Sequence, residues 1–282
     1  MMPLRFCSTP RGDADGADVE RIIRYLSDDR LEGRGSFTAG NEEAARFIAR
    51  EFTSAGLRPP SGSDSLLDPF PVTRISQESV SVVLNGRAVP PDEAIVSTEL
   101  PGGTWTLSDS FPALRMGETF DRAMFRRKNC ILLVPRMHEK MFTRYRQYLG
   151  RPRVYDGDPA PGTLVAVLTD SQAAASCVIT LRGRTERPLL RNVVGTIPGR
   201  RAGEFVLFTA HYDHLGIIGA VNGDSIANGA DDDASGTTAM IELAKYFSGQ
   251  GTPERTLVFA ALAAEEIGGF GARHLLGNMD PD

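Results

Sequence analysis

Two nearly unbroken apolar runs in the last third of the chain each stop abruptly at metal-seeking side chains, and this constrains the fold more than any other feature. Phe205-Val206-Leu207-Phe208-Thr209-Ala210 leads into His211-Tyr212-Asp213-His214, and Thr256-Leu257-Val258-Phe259-Ala260-Ala261-Leu262-Ala263-Ala264 leads into Glu265-Glu266. Between them stands Gly229-Ala230-Asp231-Asp232-Asp233-Ala234-Ser235-Gly236. The second run lacks alternation, which is the pattern of a central strand buried on both faces. Strands that end in His, Asp and Glu place ligands at the rim of a sheet, where open α/β folds bind and react.

The rest of the chain supplies the layers such a sheet needs. Val19, Ile22, Ile23 and Leu26 recur at helical spacing and predict a helix over 17–27. After a turn at Leu31-Glu32-Gly33-Arg34-Gly35, the residues Ala44, Ala45, Phe47, Ile48 and Phe52 mark a second helix that stops near Gly56. Residues 70–75 and 80–84 read as strands, with a turn at Asn85-Gly86. From about 90 to 188 the character changes: the only Trp (Trp105) lies here, with strands expected at 130–134, 164–168 and 177–181 and a helix near 138–149. From Asn192 the rhythm is strand 192–197, strand 205–210, a Gly- and Asn-rich connection over 216–229, a helix with Ala239, Met240, Leu243, Ala244 and Phe247 on one face, and strand 256–264. This alternation predicts an α/β fold, a mixed and mostly parallel central sheet flanked by helices in three layers. The expected organisation is a flexible tail over 1–16, a main domain from 17–89 plus 189–282, and an inserted mixed α/β subdomain over 90–188.

Composition removes several function classes. A formal charge of -5 leaves no basic footprint for nucleic acid. No apolar stretch reaches the ~18 residues that cross a bilayer, so no membrane partner is expected. The first 16 residues contain Arg5 and Arg11 but no apolar core of a secretory signal, and the compartment stays open. Cys7, Cys130 and Cys177 are an odd, scattered set, which argues against both a disulfide framework and a cysteine zinc knuckle. Any metal is therefore expected to rest on His and carboxylates.

Catalytic zinc takes nitrogen and carboxylate oxygen ligands and keeps a position open for water. His211 stands at a strand tip, and Asp213 is close enough to hydrogen-bond the far imidazole nitrogen. An isolated His-x-Asp is more often a loop decoration than a ligand pair. Adjacent Glu265 and Glu266 repel unless a cation or shared proton compensates. Successive strand residues point to opposite sides, so one can bind metal while the other accepts a proton from water. The bland alternative is a solvated pair opening a helix. Asp231, Asp233, Ser235, Gly236 and Glu242 also match positions 1, 3, 5, 6 and 12 of an EF-hand loop. That reading fails because the Gly-rich segment before it cannot form the entering helix. The favoured reading makes one aspartate of the triplet a bridge between two cations beside a helix N-terminus.

Taken in order, HYDHLG, NGADDDASG and AAEEIGGFGARHL resemble the co-catalytic dizinc aminopeptidases, a family of zinc exopeptidases related to glutamate carboxypeptidases and glutaminyl cyclases. Leu31–Gly35 and the Ala-rich helix after it are similar to the family's lead-in, and Arg191-Asn192-Val193-Val194-Gly195-Thr196-Ile197-Pro198-Gly199 to its first core strand. The resemblance implies two zinc ions per complete site. It makes His211 a ligand of one, Glu266 a ligand of the other and Asp232 the bridge. Glu265 becomes the general base that activates water for attack on a peptide carbonyl. Asp213 and Asp233 stand behind the ligands, orienting His211 and the metal centre respectively. His214 is expected as a loop residue or substrate-side neighbour, and His274 as structural. The implied reaction is hydrolysis of N-terminal peptide bonds, with a peptide as substrate and the oligomeric state open.

The family carries two further ligands downstream, an Asp and a late His, beyond Asp282. Asp280 and Asp282 come too early to replace them, and His138 lies in the insert. The expectation is a C-terminally incomplete chain that binds zinc weakly and lacks activity. Two alternatives accompany it: a catalytically silent remnant that binds peptides or partners, and a glutaminyl-cyclase-like zinc acyltransferase.

Overall fold

The run from Thr256 forms the strand Arg255–Leu262 at the interior of a four-stranded sheet. It pairs antiparallel with Leu189–Ile197 and parallel with Arg201–His211, while Leu67–Pro71 forms the far edge. The sheet is thus mixed, with one parallel and one antiparallel pairing about its central strand. The computed structural model describes residues 16–278, so residues 1–15 of the expected tail over 1–16, and the residues Asp280 and Asp282, lie outside it, while Gly16 opens the first helix.

Helices Ala39–Ser54 and Ser235–Ser248 cover one face of this sheet. Phe259 is fully buried there, with Phe208 stacked on it at 4.9 Å and Phe52 edge-on at 6.4 Å. Burial of such a ring stabilises by roughly 1.5–3 kcal/mol. Phe247 of the second helix lies 5.8 Å from Phe208. On the opposite face Val194, Ala260 and Leu275 form a smaller cluster, the last from helix Phe270–Asn278. Val258 and Leu262 stay only half-buried there, so the expected burial on both faces is uneven among the described residues. Helix Gly16–Leu26 joins this unit through ions as well as packing: Lys245 bonds Asp18, Glu242 and Glu51, tying three helices together.

The chain divides into two compact units, one from the residues up to Phe70 with those from Leu189 onward, the other Pro71–Pro188. Residues 71–89, read from sequence with the first domain, fall with the second unit because of one long strand. The expected strand at 70–75 divides at Val72 between Leu67–Pro71 and Thr73–Leu84, and the latter runs on through the expected strand at 80–84, its exposed polar middle mimicking a break. That strand pairs along its length with Cys177–Glu186. The second unit also holds a sheet in the order Ala94–Thr98, Thr163–Leu168, Cys130–Val134, Ala113–Arg115, with apolar clusters on both faces. His138 is buried in it and hydrogen-bonds the Gly117 carbonyl. The connection over 216–229 also differs from expectation: it is a hairpin of Gly216–Val221 and Asp224–Ala227. No helix among the described residues is long and apolar enough to cross a membrane.

Candidate metal centre

Parallel pairing brings the distant motifs together. His211 lies level with Leu262 in the register, so both strands deliver their C-terminal residues to the same edge. The ladder runs one bond further, from Tyr212 N–H to the Leu262 carbonyl at 3.0 Å. Glu265 and Glu266 do not sit on the strand, which ends at Leu262. They occupy a turn after Ala264, whose φ is 60°, and their separation comes from that turn and not from strand alternation. Asp231, Asp232 and Asp233 fill the irregular turn Ala230–Ala234 just before helix Ser235–Ser248.

The polar atoms of these three segments converge. His211 Nε2 lies 3.2 Å from Asp232 Oδ1 and 4.0 Å from both Asp233 Oδ2 and Glu265 Oε2. His211 Nδ1 is 3.1 Å from the Asp213 main-chain carbonyl. A carbonyl only accepts, so Nδ1 donates to it, and Nε2 is the ring nitrogen turned toward the acidic side. The orienting atom is the Asp213 carbonyl, not its carboxylate, which is 3.9 Å away.

Asp213 instead fixes the glutamate turn. Its fully buried carboxylate accepts from Glu265 N–H at 3.0 Å, Glu266 N–H at 3.3 Å and the Ser36 hydroxyl at 3.1 Å. Burial raises its pKa above the ordinary carboxylate value, opposed by those donors and by His211. Asp233 links strand to helix: it accepts from His211 N–H at 3.2 Å and from Gly236 N–H at 2.9 Å, capping the helix start.

The sequence reading placed His214 in a loop or beside substrate. Here His214 Nδ1 is 2.7 Å from Glu266 Oε1 and 4.0 Å from Asp232 Oδ2. His214, Asp232 and Glu266 each offer a ligand atom within 4.8 Å of the others. His274 lies elsewhere in the same unit, stacked on Phe70 at 4.7 Å with Nε2 3.2 Å from Asp68, a structural arrangement.

Arg34 has a part that its sequence neighbourhood does not announce. Its side chain is fully buried and donates to four main-chain carbonyls: Tyr212 at 2.7 Å, Asn228 at 2.7 Å, Gly229 at 2.9 Å, and Leu26. Its own carbonyl accepts from His214 N–H at 3.3 Å. One guanidinium thereby holds the strand tip and the approach to the aspartate turn in register. Burial pulls its pKa down to about 10, against the attraction of Asp213, Asp233 and Asp232, so it stays charged at neutral pH. A Cβ on Gly33 would lie 2.4 Å from the Ala227 carbonyl and 2.7 Å from that of Gly216, so the residue beside Arg34 must be glycine to seat against the hairpin.

Imidazole nitrogens and carboxylate oxygens at 3–4 Å separations are a donor set suited to zinc. Ligand atoms about 2.0–2.1 Å from a tetrahedral zinc lie about 3.3 Å apart. The concentration of acids supplies the negative charge that close cations require.

Residues 192–281 match the model of peptidase family M28. A protein of Leptosphaeria maculans described as a probable zinc metalloprotease is 36% identical over 129 residues, 45% of this chain and 28% of that protein. A probable zinc metalloprotease of Pyricularia oryzae is 38% identical over 84 residues, 29% of this chain and 16% of its own length. The chain thus spans under a third of the length of these relatives. Among solved structures, an aminopeptidase from Aneurinibacillus sp. strain AM-1 matches with TM-score 0.58 at 17% identity, over 95% of this chain and 67% of that one. A zinc aminopeptidase from Bacillus subtilis matches with TM-score 0.50 at 19% identity, over 95% and 66% respectively. At those identities the likeness is one of fold. Over residues 192–281, then, the chain is similar to peptidase family M28.

Proposed function

We propose that the chain is a zinc-dependent exopeptidase of the aminopeptidase type, with His211, Asp232 and Glu266 as zinc ligands and Asp232 as the bridge between two ions. The observation that carries this reading is the convergence of those side chains with Glu265 at one sheet edge, from three segments far apart in sequence. Asp232 turns one carboxylate oxygen toward His211 and the other toward His214, as a bridge requires.

Zinc supplies a lowered pKa for the attacking water and polarisation of the scissile carbonyl. The chain's own residues do the rest. The Asp213 carbonyl fixes the His211 tautomer, and the Asp213 carboxylate fixes the main chain of the glutamate pair. Glu265, with its side chain 54% exposed, is the group open to a substrate. Its carboxylate takes one proton from water as the oxygen attacks the peptide carbon. It then delivers that proton to the amine nitrogen as the C–N bond breaks.

The test is Glu265→Gln in a chain extended to supply the downstream Asp and late His, assayed on amino-acid anilides with metal content measured in parallel. There chelator-sensitive turnover is expected, and the substitution should lower it about 10²–10⁴-fold while zinc content holds. A variant as fast as wild type would remove Glu265 from the mechanism.

A further inference from the structure

We infer that His214 is itself a metal ligand, completing a second cation position formed by His214 Nδ1, Glu266 and Asp232 Oδ2. The inference rests on the zinc reading above and extends it to a residue that the ligand set of that reading leaves out.

Three observations carry it. First, the cluster has two centres. His211 Nε2 approaches Asp232 Oδ1 at 3.2 Å, whereas His214 Nδ1 approaches Asp232 Oδ2 at 4.0 Å and Glu266 Oε1 at 2.7 Å. The two imidazoles thus address opposite oxygens of one carboxylate. The second set of distances brackets the roughly 3.3 Å expected between ligands of a tetrahedral ion.

Second, the His214 ring is held in place. Gly229 has φ 62°, and a Cβ there would lie 2.6 Å from His214 Cδ2 and 2.7 Å from its Cγ. Only a glycine lets the imidazole lie against the main chain at this point, immediately before the aspartate turn. The His214 main chain is fixed too, by its hydrogen bond to the Arg34 carbonyl at 3.3 Å.

Third, the side chains suit a ligand role. His214 and Glu266 are only 11% and 18% exposed, while Asp232 is 62% exposed, so the pair forms the wall of the site and the bridge faces outward. In the structure the short contact is a hydrogen bond in which Nδ1–H donates to the carboxylate. A cation replaces that proton: Nδ1 supplies its lone pair and the ring proton resides on Nε2.

The experiment is metal stoichiometry of the full chain. Equilibrium dialysis against buffered zinc is paired with cobalt(II) titration followed by visible absorption, which reports ligand number and type without any turnover. Wild type should take two equivalents. Losing a partner outside the ligand shell costs about 10–100-fold in metal affinity, so His214→Ala should weaken one equivalent by more than 100-fold and leave the other in place. Glu266→Gln should weaken the same equivalent. His214→Cys, which restores a ligating atom, should recover it with a shifted cobalt spectrum.

Two equivalents of unaltered affinity and spectrum in His214→Ala would overturn the inference, as would a single equivalent in wild type that is indifferent to His214. In the first case the two-ion zinc reading survives; in the second a one-zinc site replaces it. A wild-type chain that takes up no metal at all would overturn that reading itself.

Discussion

Arg34→Met is the substitution whose consequence can be worked most directly from the geometry. Methionine keeps much of the side-chain bulk and removes every donor. Four carbonyls then lose a charged partner, each such bond contributing about 1.5–3 kcal/mol, or roughly 6–12 kcal/mol gross. Part of this returns. Burial lowers the guanidinium's pKa to about 10, and the neutral side chain escapes that unfavourable desolvation. Water and local relaxation satisfy some of the freed carbonyls. A net loss of about 3–5 kcal/mol is expected, the size found when a buried charge network loses one member. At about 1.4 kcal/mol per decade this is roughly a 10²–10⁴-fold acceleration of amide exchange. It should appear in peptides covering Arg201–His211 and Arg255–Leu262 in chelator-treated protein. The choice of probe matters. The sole Trp, Trp105, lies in the Pro71–Pro188 unit, so its fluorescence would report on the wrong half of the chain. Peptides from that unit, which hold none of the four carbonyls, provide the internal reference. Arg34→Lys, with charge but without the fork of donors, should fall between. Acceleration below tenfold in both strands of Arg34→Met would show that the four bonds do not hold the site together.

Asp213→Asn keeps the shape but leaves one oxygen where two now meet three donors, and a zinc-competition titration should show affinity down by about 10–100-fold with the fold intact. Lys245→Met should flatten the acid limb of stability. The hydrogen bond from Lys245 holds the Asp18 carboxyl below its ordinary 3.8, against the raising effect of burial, so the contribution is present above that value and lost as pH falls through the lowered one. Urea titrations between pH 7 and 3 should therefore show the variant and wild type converging toward acid. In the second unit, burial pushes the Cys177 thiol up to about 11 and raises that of Cys130 as well. Both should resist iodoacetamide at pH 8 until denaturant opens their sheets, as peptide mapping would show, and labelling of native protein at the rate of a free thiol would contradict their burial.

The features legible in the sequence are those with a local signature. Thr256–Ala264 reads as a central strand because apolar residues fill it without alternation, and Phe208, Phe247 and Phe259 supply a core through ordinary periodicity. The turn at Asn85-Gly86 declared itself through the Asn-Gly pair, and both residues take positive φ there, 50° and 76°. The same signal stood at Asn222-Gly223, with φ 54° and 89°, yet the glycines of Gly216–Val221 disguised that hairpin as a loop. What escaped the sequence is contact made by main-chain atoms. Four carbonyls define the role of Arg34, and one carbonyl, that of Asp213, sets the His211 tautomer; carbonyls carry no residue-specific letter. His214 escaped for a related reason. Read along the chain, it is the second histidine of a short motif whose first member already has a ligand's position. Its partner, Glu266, arrives 52 residues later through a turn that register alone does not reveal. Parallel pairing of two strands determines that the motifs meet. The glutamate turn after Ala264 and the missing Cβ of Gly229 decide which imidazole faces which carboxylate.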